Sequence, residues 1–325
     1  MKERKITVNL KERGFYKGVN LGGWLSQCDY STERLDGFIT GEDFAQIAAW
    51  GFDHVRIPID YNVIQNRDGS MKPEGLARID RALALCEKNG LNAVLDLHKT
   101  QGFSFDKGER EAGFFDSGEQ QEKYYAVWEC FAARYGGLHE RVMFDLLNEV
   151  TERKYLQAWK RISRECVRRI RAAAPEVLIL LGSYNWNSAK TLCELDAPCD
   201  EHIVYNFHFY EPHFFTHQGA YWDADRMDVN ARYSYEESGA SEAWFEEFLA
   251  SAFKKAEEEN CALYCGEFGV IDVVPPEEAL KWFRALHAVF ERHGVGRSLW
   301  SYRQMDFGLC DARMDGVRDE LLTLL

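Results

Sequence analysis

The sequence of 325 residues has no long apolar run and fewer positive than negative side chains. Apolar runs such as residues 178–181 are far shorter than the roughly 18 residues that a membrane helix needs. Lys and Arg number 39 against 53 Asp and Glu, which gives a formal net charge of −14. A chain this acidic repels phosphate backbones. We therefore expect neither a membrane span nor a nucleic-acid partner.

Targeting, disulfide and cofactor signals are also missing. The N-terminal residues 1–10 carry three basic side chains but no apolar segment of about 7 to 15 residues after them, so they lack the secretory pattern. The nine cysteines have neither the spacing of a disulfide framework nor that of a zinc site. We expect mostly buried, reduced thiols in a chain that is cytoplasmic, or secreted and present here in its mature form.

Glycine-rich nucleotide motifs are absent as well. Gly18, Gly22 and Gly23 do not have the Gly-x-Gly-x-x-Gly spacing of a dinucleotide site, and no P-loop sequence occurs. These absences argue against a nucleotide cofactor. We expect a monomer that uses no cofactor and no metal.

Short strand-like runs alternate with segments of helical period along the whole chain. The runs lie at 18–21, 54–59, 92–97, 142–147, 177–181, 203–209, 262–268 and 297–302. Helical segments begin at Thr40 and Pro73, cover 155–173 and 242–259, and end before Gly294. Eight such units without a linker predict a single (β/α)₈ barrel domain over residues 1–325, with an enlarged loop, 210–241, after strand six.

Polar or aromatic residues occur at the ends of these runs, where barrel enzymes place their catalytic groups. They are Arg56, His98, Asn148, Glu149, His208, Tyr210, Glu267 and Trp300. Either glutamate taken singly is best explained as a structural carboxylate paired with an arginine. Two carboxylates at one barrel mouth, however, match glycoside hydrolysis, in which one is a proton donor and the other attacks the anomeric carbon or activates water.

The strings GVNLGGWL, HVRIPID, VLDLH, FDLLNEV, YNFHFYEP, YCGEFGV and LWSYRQMDF resemble, in the same order, the strand ends of glycoside hydrolase family 5. The resemblance covers nearly the whole chain and is strongest to small single-domain bacterial endoglucanases. It implies that Glu149 is the general acid/base and Glu267 the nucleophile of a retaining double displacement. Retention would place the two carboxyl groups about 5 to 5.5 Å apart.

The same resemblance implies roles for the neighbouring residues. Arg56 would lie beside Glu267 and favour its charged form, and Tyr210 would donate a hydrogen bond to the same carboxylate, so that Glu149 has the higher pKa. Asn148 would hold the sugar 2-hydroxyl.

The remaining strand-end residues would support or contact the sugar. We expect His98 to bind sugar hydroxyls and His208 to orient the carboxylates. Trp300 would stack on a pyranose ring, and the peptide bond from Trp300 to Ser301 is predicted to be cis.

Other residues on or after strand ends are candidates for outer sugar subsites. They are Asn20, Trp24, Trp186, Trp222 and Asp306. A zinc site of His208, His213 and His217 is disfavoured because Pro212 interrupts any helix that would align them. Lys99 and Glu211 depart from the family pattern, in which a histidine and an asparagine are common.

These observations predict a cofactor-independent retaining endo-β-glucanase acting on β-1,4- or mixed β-1,3/1,4-linked glucans and cello-oligosaccharides. Exo-acting β-glucosidase, β-1,3-glucanase and β-mannanase are alternatives on the same scaffold. A non-catalytic carbohydrate-binding barrel is an alternative of another class. A barrel lyase or aldolase lacks a strand-end lysine for a Schiff base, apart from Lys99.

Overall fold

The computed structural model describes residues 8–106, 108–109 and 111–325, and within them eight parallel strands close into a barrel in chain order. The strands are β1 Lys17–Asn20, β2 His54–Asp60, β3 Asn92–Lys99, β4 Val142–Asp145, β5 Leu178–Gly182, β6 Ile203–Phe209, β7 Ala262–Phe268 and β8 Gly296–Leu299. The helices are α1 Thr32–Gly37, α2 Gly41–Ala49, α3 Tyr61–Ile64, α4 Pro73–Lys88, α5 Gly118–Tyr135, α6 Leu156–Arg171, α7 Tyr184–Asn187, α8 His213–Thr216, α9 Tyr235–Ser238, α10 Glu242–Glu259, α11 Pro276–His293 and α12 Arg318–Leu324. Short 3₁₀ turns occur at Gly136–Leu138, Arg153–Tyr155, Ala189–Glu194, Tyr221–Asp223 and Ala312–Met314. The predicted (β/α)₈ barrel is confirmed.

Helix ends follow the capping signals in the sequence. At the start of α2, the Asp43 carboxylate accepts a hydrogen bond from the Thr40 backbone N–H at 2.7 Å, which satisfies a donor that the helix leaves free. Pro73 opens α4, where its missing N–H costs nothing. Gly294 ends α11 at φ 64°, in the left-handed region that glycine enters without steric penalty.

Strands β4 and β8 end earlier than predicted, at the carboxyl-terminal end of the barrel. β8 ends at Leu299 instead of residue 302, and the N–H of Tyr302 bonds to the oxygen of Asn20 at 2.9 Å. β4 ends at Asp145 instead of residue 147, and the N–H of Asn148 bonds to the oxygen of Leu97 at 3.1 Å. The predicted cis peptide bond between Trp300 and Ser301 is present.

The barrel interior changes in character along each strand. On β3, Val94, Asp96 and His98 are spaced two apart and point inward, because alternate residues of a strand share a face. Val94 lies in an apolar cluster that fills the amino-terminal end of the barrel together with Met143 and Leu178. The buried carboxylates Asp96, Asp145 and Glu267 and the Arg56 cation lie beyond this cluster, toward the carboxyl-terminal end.

The loop after β6 is enlarged as predicted. Residues 210–241 contain α8, the 3₁₀ turn at Tyr221–Asp223 and α9 before α10 begins. This segment forms one wall of a cavity of about 1000 Å³ at the carboxyl ends of the strands. No helix in the described part of the chain is long and apolar enough to cross a membrane.

The cysteines are all free, but their burial differs from the prediction. Only Cys86, Cys166, Cys261 and Cys265 are buried, whereas Cys193 and Cys199 are exposed. The expectation that most would be buried is wrong, because several lie on loops or on the outer faces of helices.

Candidate active site

Arg56 of β2 is the centre of the polar end of the barrel. Its side chain is fully buried, and its guanidinium group contacts five acceptor residues at 2.9 to 3.1 Å. These are Asn20, Asp96, Asp145, Asn148 and Glu267. A planar guanidinium presents several donors in fixed directions and therefore orients all of these side chains at once.

Asp96 and Asp145 are buried acids that share a single cation, the guanidinium group of Arg56. Burial raises the pKa of Asp96 and that of Asp145 to about 7 in each case, although the charge of Arg56 acts in the opposite direction. Asp96 also contacts Nδ1 of His98 at 2.6 Å. Both aspartates hold the positions of their neighbours from below and do not line the cavity.

The two glutamates lie side by side at the floor of the cavity. An oxygen of Glu149 lies within 4.8 Å of an oxygen of Glu267, and both carboxylates are close to Nδ1 of His208, at 2.8 and 3.6 Å. An inverting pair needs about 6.5 to 9.5 Å to hold a water molecule between the carboxyl groups. The observed proximity therefore matches a retaining pair.

The environments of the two glutamates differ in charge. Oε1 of Glu267 accepts a hydrogen bond from Arg56 at 2.9 Å, and Oε2 accepts one from the Tyr210 hydroxyl at 2.9 Å. Burial raises the pKa of Glu267, while Arg56 and Tyr210 limit that rise. Burial and then the neighbouring Glu267 charge raise the pKa of Glu149 well above its usual value. At a pH between the two values, Glu149 holds the proton and Glu267 is ionised.

Glu149 also has an unusual backbone. Its φ of 45° lies in the left-handed region, which costs a residue with a Cβ atom roughly 1 kcal/mol. Such a conformation persists where the surrounding structure imposes it, and it is frequent at active sites. Here it turns the carboxyl group of Glu149 into the cavity directly after Asn148.

Asn148 and His208 each present a polar atom without a protein partner. Asn148 accepts from Arg56 through its side-chain oxygen at 2.9 Å, which leaves its buried amide nitrogen as a free donor. The buried Nε2 of His208 also lacks a partner. Burial lowers the pKa of His208 well below its usual value, so the ring is neutral. The free amide of Asn148, beside Glu149, is placed to donate to a sugar hydroxyl.

Trp300 and His98 form one wall of the cavity. Their rings are parallel within 2° with centroids 5.8 Å apart. Burial lowers the pKa of His98 to about 4, so this ring is also neutral. A neutral imidazole beside an indole face suits a sugar ring, which offers both C–H faces and hydroxyl groups.

Three of the predicted outer residues line the cavity, and two do not. Trp186, Trp222 and Asp306 lie on its walls. Asn20 is fully buried, where its amide donates to the backbone oxygens of Gly266 and Ser298, and Trp24 is buried with its indole N–H bonded to Leu35. The expectation of sugar contact is therefore wrong for Asn20, which bonds to strands β7 and β8, and for Trp24, which bonds to helix α1. Arg56 likewise acts from beneath the cavity.

Several cavity residues carry no recognisable signal in the sequence. Phe105, Asp106 and Glu109 come from the loop after β3, and Gln27 comes from the loop after β1. Loop residues follow no period, so only the folded structure places them. Asp96, by contrast, could have been found, because a charged residue at an inward position of a buried strand needs a partner.

The zinc alternative is not supported by the geometry. His213 and His217 stack with ring centroids 4.1 Å apart, and Nε2 of His213 contacts Asp223 at 2.7 Å, whereas His208 contacts Glu149. The group in the described residues that could hold a metal is Glu149, His208 and Glu267. The Arg56 cation at 2.9 Å from Glu267 disfavours a second cation there.

Lys99 does not provide the free amine of an aldolase. Its Nζ lies 2.6 Å from Glu109, 2.9 Å from Asp106 and 3.8 Å from Asp60. Burial lowers the pKa of Lys99, but the surrounding carboxylates raise it above its ordinary value. The amine is held protonated, which prevents the attack on a carbonyl that a Schiff base requires.

Several known proteins are similar to this chain in sequence or in fold. Residues 15–306 match the sequence model of the family described as Cellulase (glycosyl hydrolase family 5). The chain is 56% identical over 288 residues to Cellodextrinase A of Ruminococcus flavefaciens, covering 89% of this chain and 85% of that protein. It is 37% identical over 340 residues to Endoglucanase C of Acetivibrio thermocellus, covering 96% and 98% respectively. The solved structure of an endoglucanase shares the fold with a TM-score of 0.83 at 22% identity, covering 98% of this chain and 99% of that one.

A closed (β/α)₈ barrel with a close pair of carboxylates at its carboxyl-terminal face is an arrangement that retaining glycoside hydrolases use. The match over residues 15–306 identifies the family: the chain belongs to glycosyl hydrolase family 5.

Proposed function

We propose that this protein hydrolyses β-1,4- or mixed β-1,3/1,4-linked glucans and cello-oligosaccharides as an endo-β-glucanase with retention of configuration. The observation that carries the proposal is the approach of a Glu149 oxygen to within 4.8 Å of a Glu267 oxygen. The names of the relatives, a cellodextrinase and an endoglucanase, support the substrate class.

The first step is displacement of the leaving group. The ionised carboxylate of Glu267 attacks the anomeric carbon, and the bond from that carbon to the glycosidic oxygen breaks. Glu149 gives its proton to the departing oxygen. Arg56 and Tyr210 favour the ionised form of Glu267, and each donates a hydrogen bond to a different oxygen of its carboxylate.

The second step restores the enzyme. Glu149, now a carboxylate, removes a proton from water, whose oxygen attacks the anomeric carbon and releases Glu267. The pKa of Glu149 rises again once Glu267 regains its charge, because like charges at this distance oppose each other. The free amide of Asn148 would bond to the sugar 2-hydroxyl most strongly in the transition state.

The chemistry is tested with Glu267→Gln and Glu149→Gln, which keep size and remove charge. We expect Glu267→Gln to lower kcat on cello-oligosaccharides by about 10⁴-fold or more. Glu149→Gln should lower kcat much less on a 2,4-dinitrophenyl β-cellobioside than on cello-oligosaccharides, because the dinitrophenolate leaving group needs no proton. Azide should then yield a β-glycosyl azide. The exposed Glu257→Gln is the matched control and should retain wild-type kcat.

The alternatives predict other products. Internal cuts in mixed-linkage β-glucan support the endo-acting reading, whereas release of single glucose units from chain ends would support the exo-acting one. Sugar binding without cleavage of any β-glycan would support a binding barrel and contradict the proposed hydrolysis. The cytoplasmic location and the monomeric state stay predictions from the sequence.

A further inference from the structure

A second cavity lies beside the catalytic one. It has a volume of about 580 Å³ and is lined by polar and aromatic side chains of the loops after β1, β2 and β3, among them Tyr30, Tyr61, Asn62, Gln65 and Asn66. The side chain of Glu109 belongs to the lining of both cavities. The boundary between the cavities therefore runs through this residue.

The boundary is an ion-paired group. Nζ of Lys99 lies 2.6 Å from Glu109 and 2.9 Å from Asp106. Asp106 lines the catalytic cavity and Lys99 lines the second one, so their contact separates the two spaces. We call Lys99, Asp106 and Glu109 the partition.

Beneath the partition, a buried acid anchors it to the barrel. Asp60, at the end of β2, lies 3.8 Å from Nζ of Lys99. Its carboxylate also accepts hydrogen bonds from the Ser26 hydroxyl at 2.9 Å and from the Tyr30 hydroxyl at 2.6 Å. The Lys99 side chain is only 4% exposed, whereas that of Glu109 is 40% exposed. Glu109 is thus the exposed part of the partition, and its side chain can be truncated without uncovering the buried contact of Lys99 with Asp60.

The second cavity has the chemistry of a sugar site. Asn62 and Asn66 bring amide groups to its lining, and an amide both donates and accepts hydrogen bonds, as sugar hydroxyl groups require. Its tyrosine rings offer apolar area to the C–H face of a pyranose. A glucan chain leaving the catalytic cavity toward β2 and β3 would pass the position of Glu109, the residue that lines both cavities.

We propose that the partition separates the second cavity from the substrate groove on the side of β2 and β3 and thereby limits the number of glucosyl units that the protein contacts on that side. The proposal rests on the proposed function. In the wild-type protein the second cavity contributes nothing to the binding of long glucan chains. Removal of the Glu109 side chain opens the outer part of the partition, above the Lys99–Asp106 pair, and makes the second cavity an additional glucosyl site.

The test compares kcat/KM for cellohexaose with that for cellotriose. We expect Glu109→Ala to raise this ratio by about five- to tenfold, since one added sugar unit gains one or two hydrogen bonds. Glu109→Gln keeps the side-chain volume and can still accept from Lys99, so its ratio should stay within about twofold of wild type. An unchanged ratio in folded Glu109→Ala would overturn the proposal.

A double variant shows whether the second cavity is the source of the gain. Asn62→Trp fills that cavity from a residue that does not line the catalytic one. Added to Glu109→Ala, it should return the ratio to the wild-type value, and a persistent gain would contradict the proposed site. Wild-type cleavage of both substrates keeps the proposed function in place whichever result is obtained. Cleavage of neither would overturn both proposals.

Discussion

The two ends of the barrel interior are built by the same strands but from opposite chemistry. On β6, Val204 lies in the apolar cluster at the amino-terminal end, Asn206 bonds to Asp145 at 3.0 Å in the middle, and His208 reaches the catalytic cavity. A similar succession occurs on β3. Apolar packing closes one end tightly, so the cost of burying charge is confined to the other end, where the substrate binds.

Of the changes that test this difference between the two ends of the barrel, substitution of Arg56 should have the largest effect on stability. We expect Arg56→Met to destabilise the protein by about 4 kcal/mol near pH 7, because it leaves three buried acids without their cation. Urea unfolding measures this loss, and kcat should also fall.

A second buried arginine provides the control. Arg297 of β8 pairs with Glu291 at 2.9 Å on the outer side of the barrel. Arg297→Met should destabilise the fold but leave kcat of the folded enzyme intact. A loss below about 1 kcal/mol for Arg56→Met would contradict the central role of that residue.

The apolar end should respond in the opposite way. Leu178 is fully buried there, so Leu178→Ala should cost about 3 kcal/mol through lost burial and the cavity left behind. Activity per folded molecule should not change, since Leu178 does not line the catalytic cavity. Parallel urea melts and active-site titration measure the two quantities. A large fall in specific activity would show that the two ends are coupled.

Substitution of Tyr264 removes a single hydroxyl group from the amino-terminal half of the barrel interior. Its oxygen lies 2.6 Å from Nε2 of His54 and 2.6 Å from the Ser298 hydroxyl. Tyr264→Phe should destabilise by about 1 to 2 kcal/mol, because both buried partners lose a hydrogen bond. Thermal unfolding tests this, and the pH profile of kcat/KM should be the same as for the wild type.

Tyr210→Phe is the matched change in the active site and has the smallest effect on stability. The Tyr210 hydroxyl lowers the pKa of Glu267, so its loss raises that pKa. Since Glu267 must be ionised to attack, the acidic limb of the kcat/KM profile should move to higher pH by about half to one unit. A limb that stays in place would show that the hydroxyl does not stabilise the charged nucleophile.

Much of the fold could be predicted because its signals are local. The bounds of β6, β7 and α10 follow from apolar runs and helical period, which neighbouring residues determine. Glu149 and Glu267 were found because each directly follows a buried run. Asn20 was assigned wrongly, because a strand-end position does not reveal whether a side chain points into the cavity or packs beneath it.

The sequence by itself determined the alternation of strands and helices, the acidic surface charge, and the order of polar residues at the strand ends. Only the tertiary structure decided which of those residues meet. Arg56 and Glu267 are 211 positions apart in the chain, yet barrel closure brings them to 2.9 Å. The partition around Lys99 likewise depends on loops whose positions no periodicity specifies, since they are fixed by charges that come together only after folding.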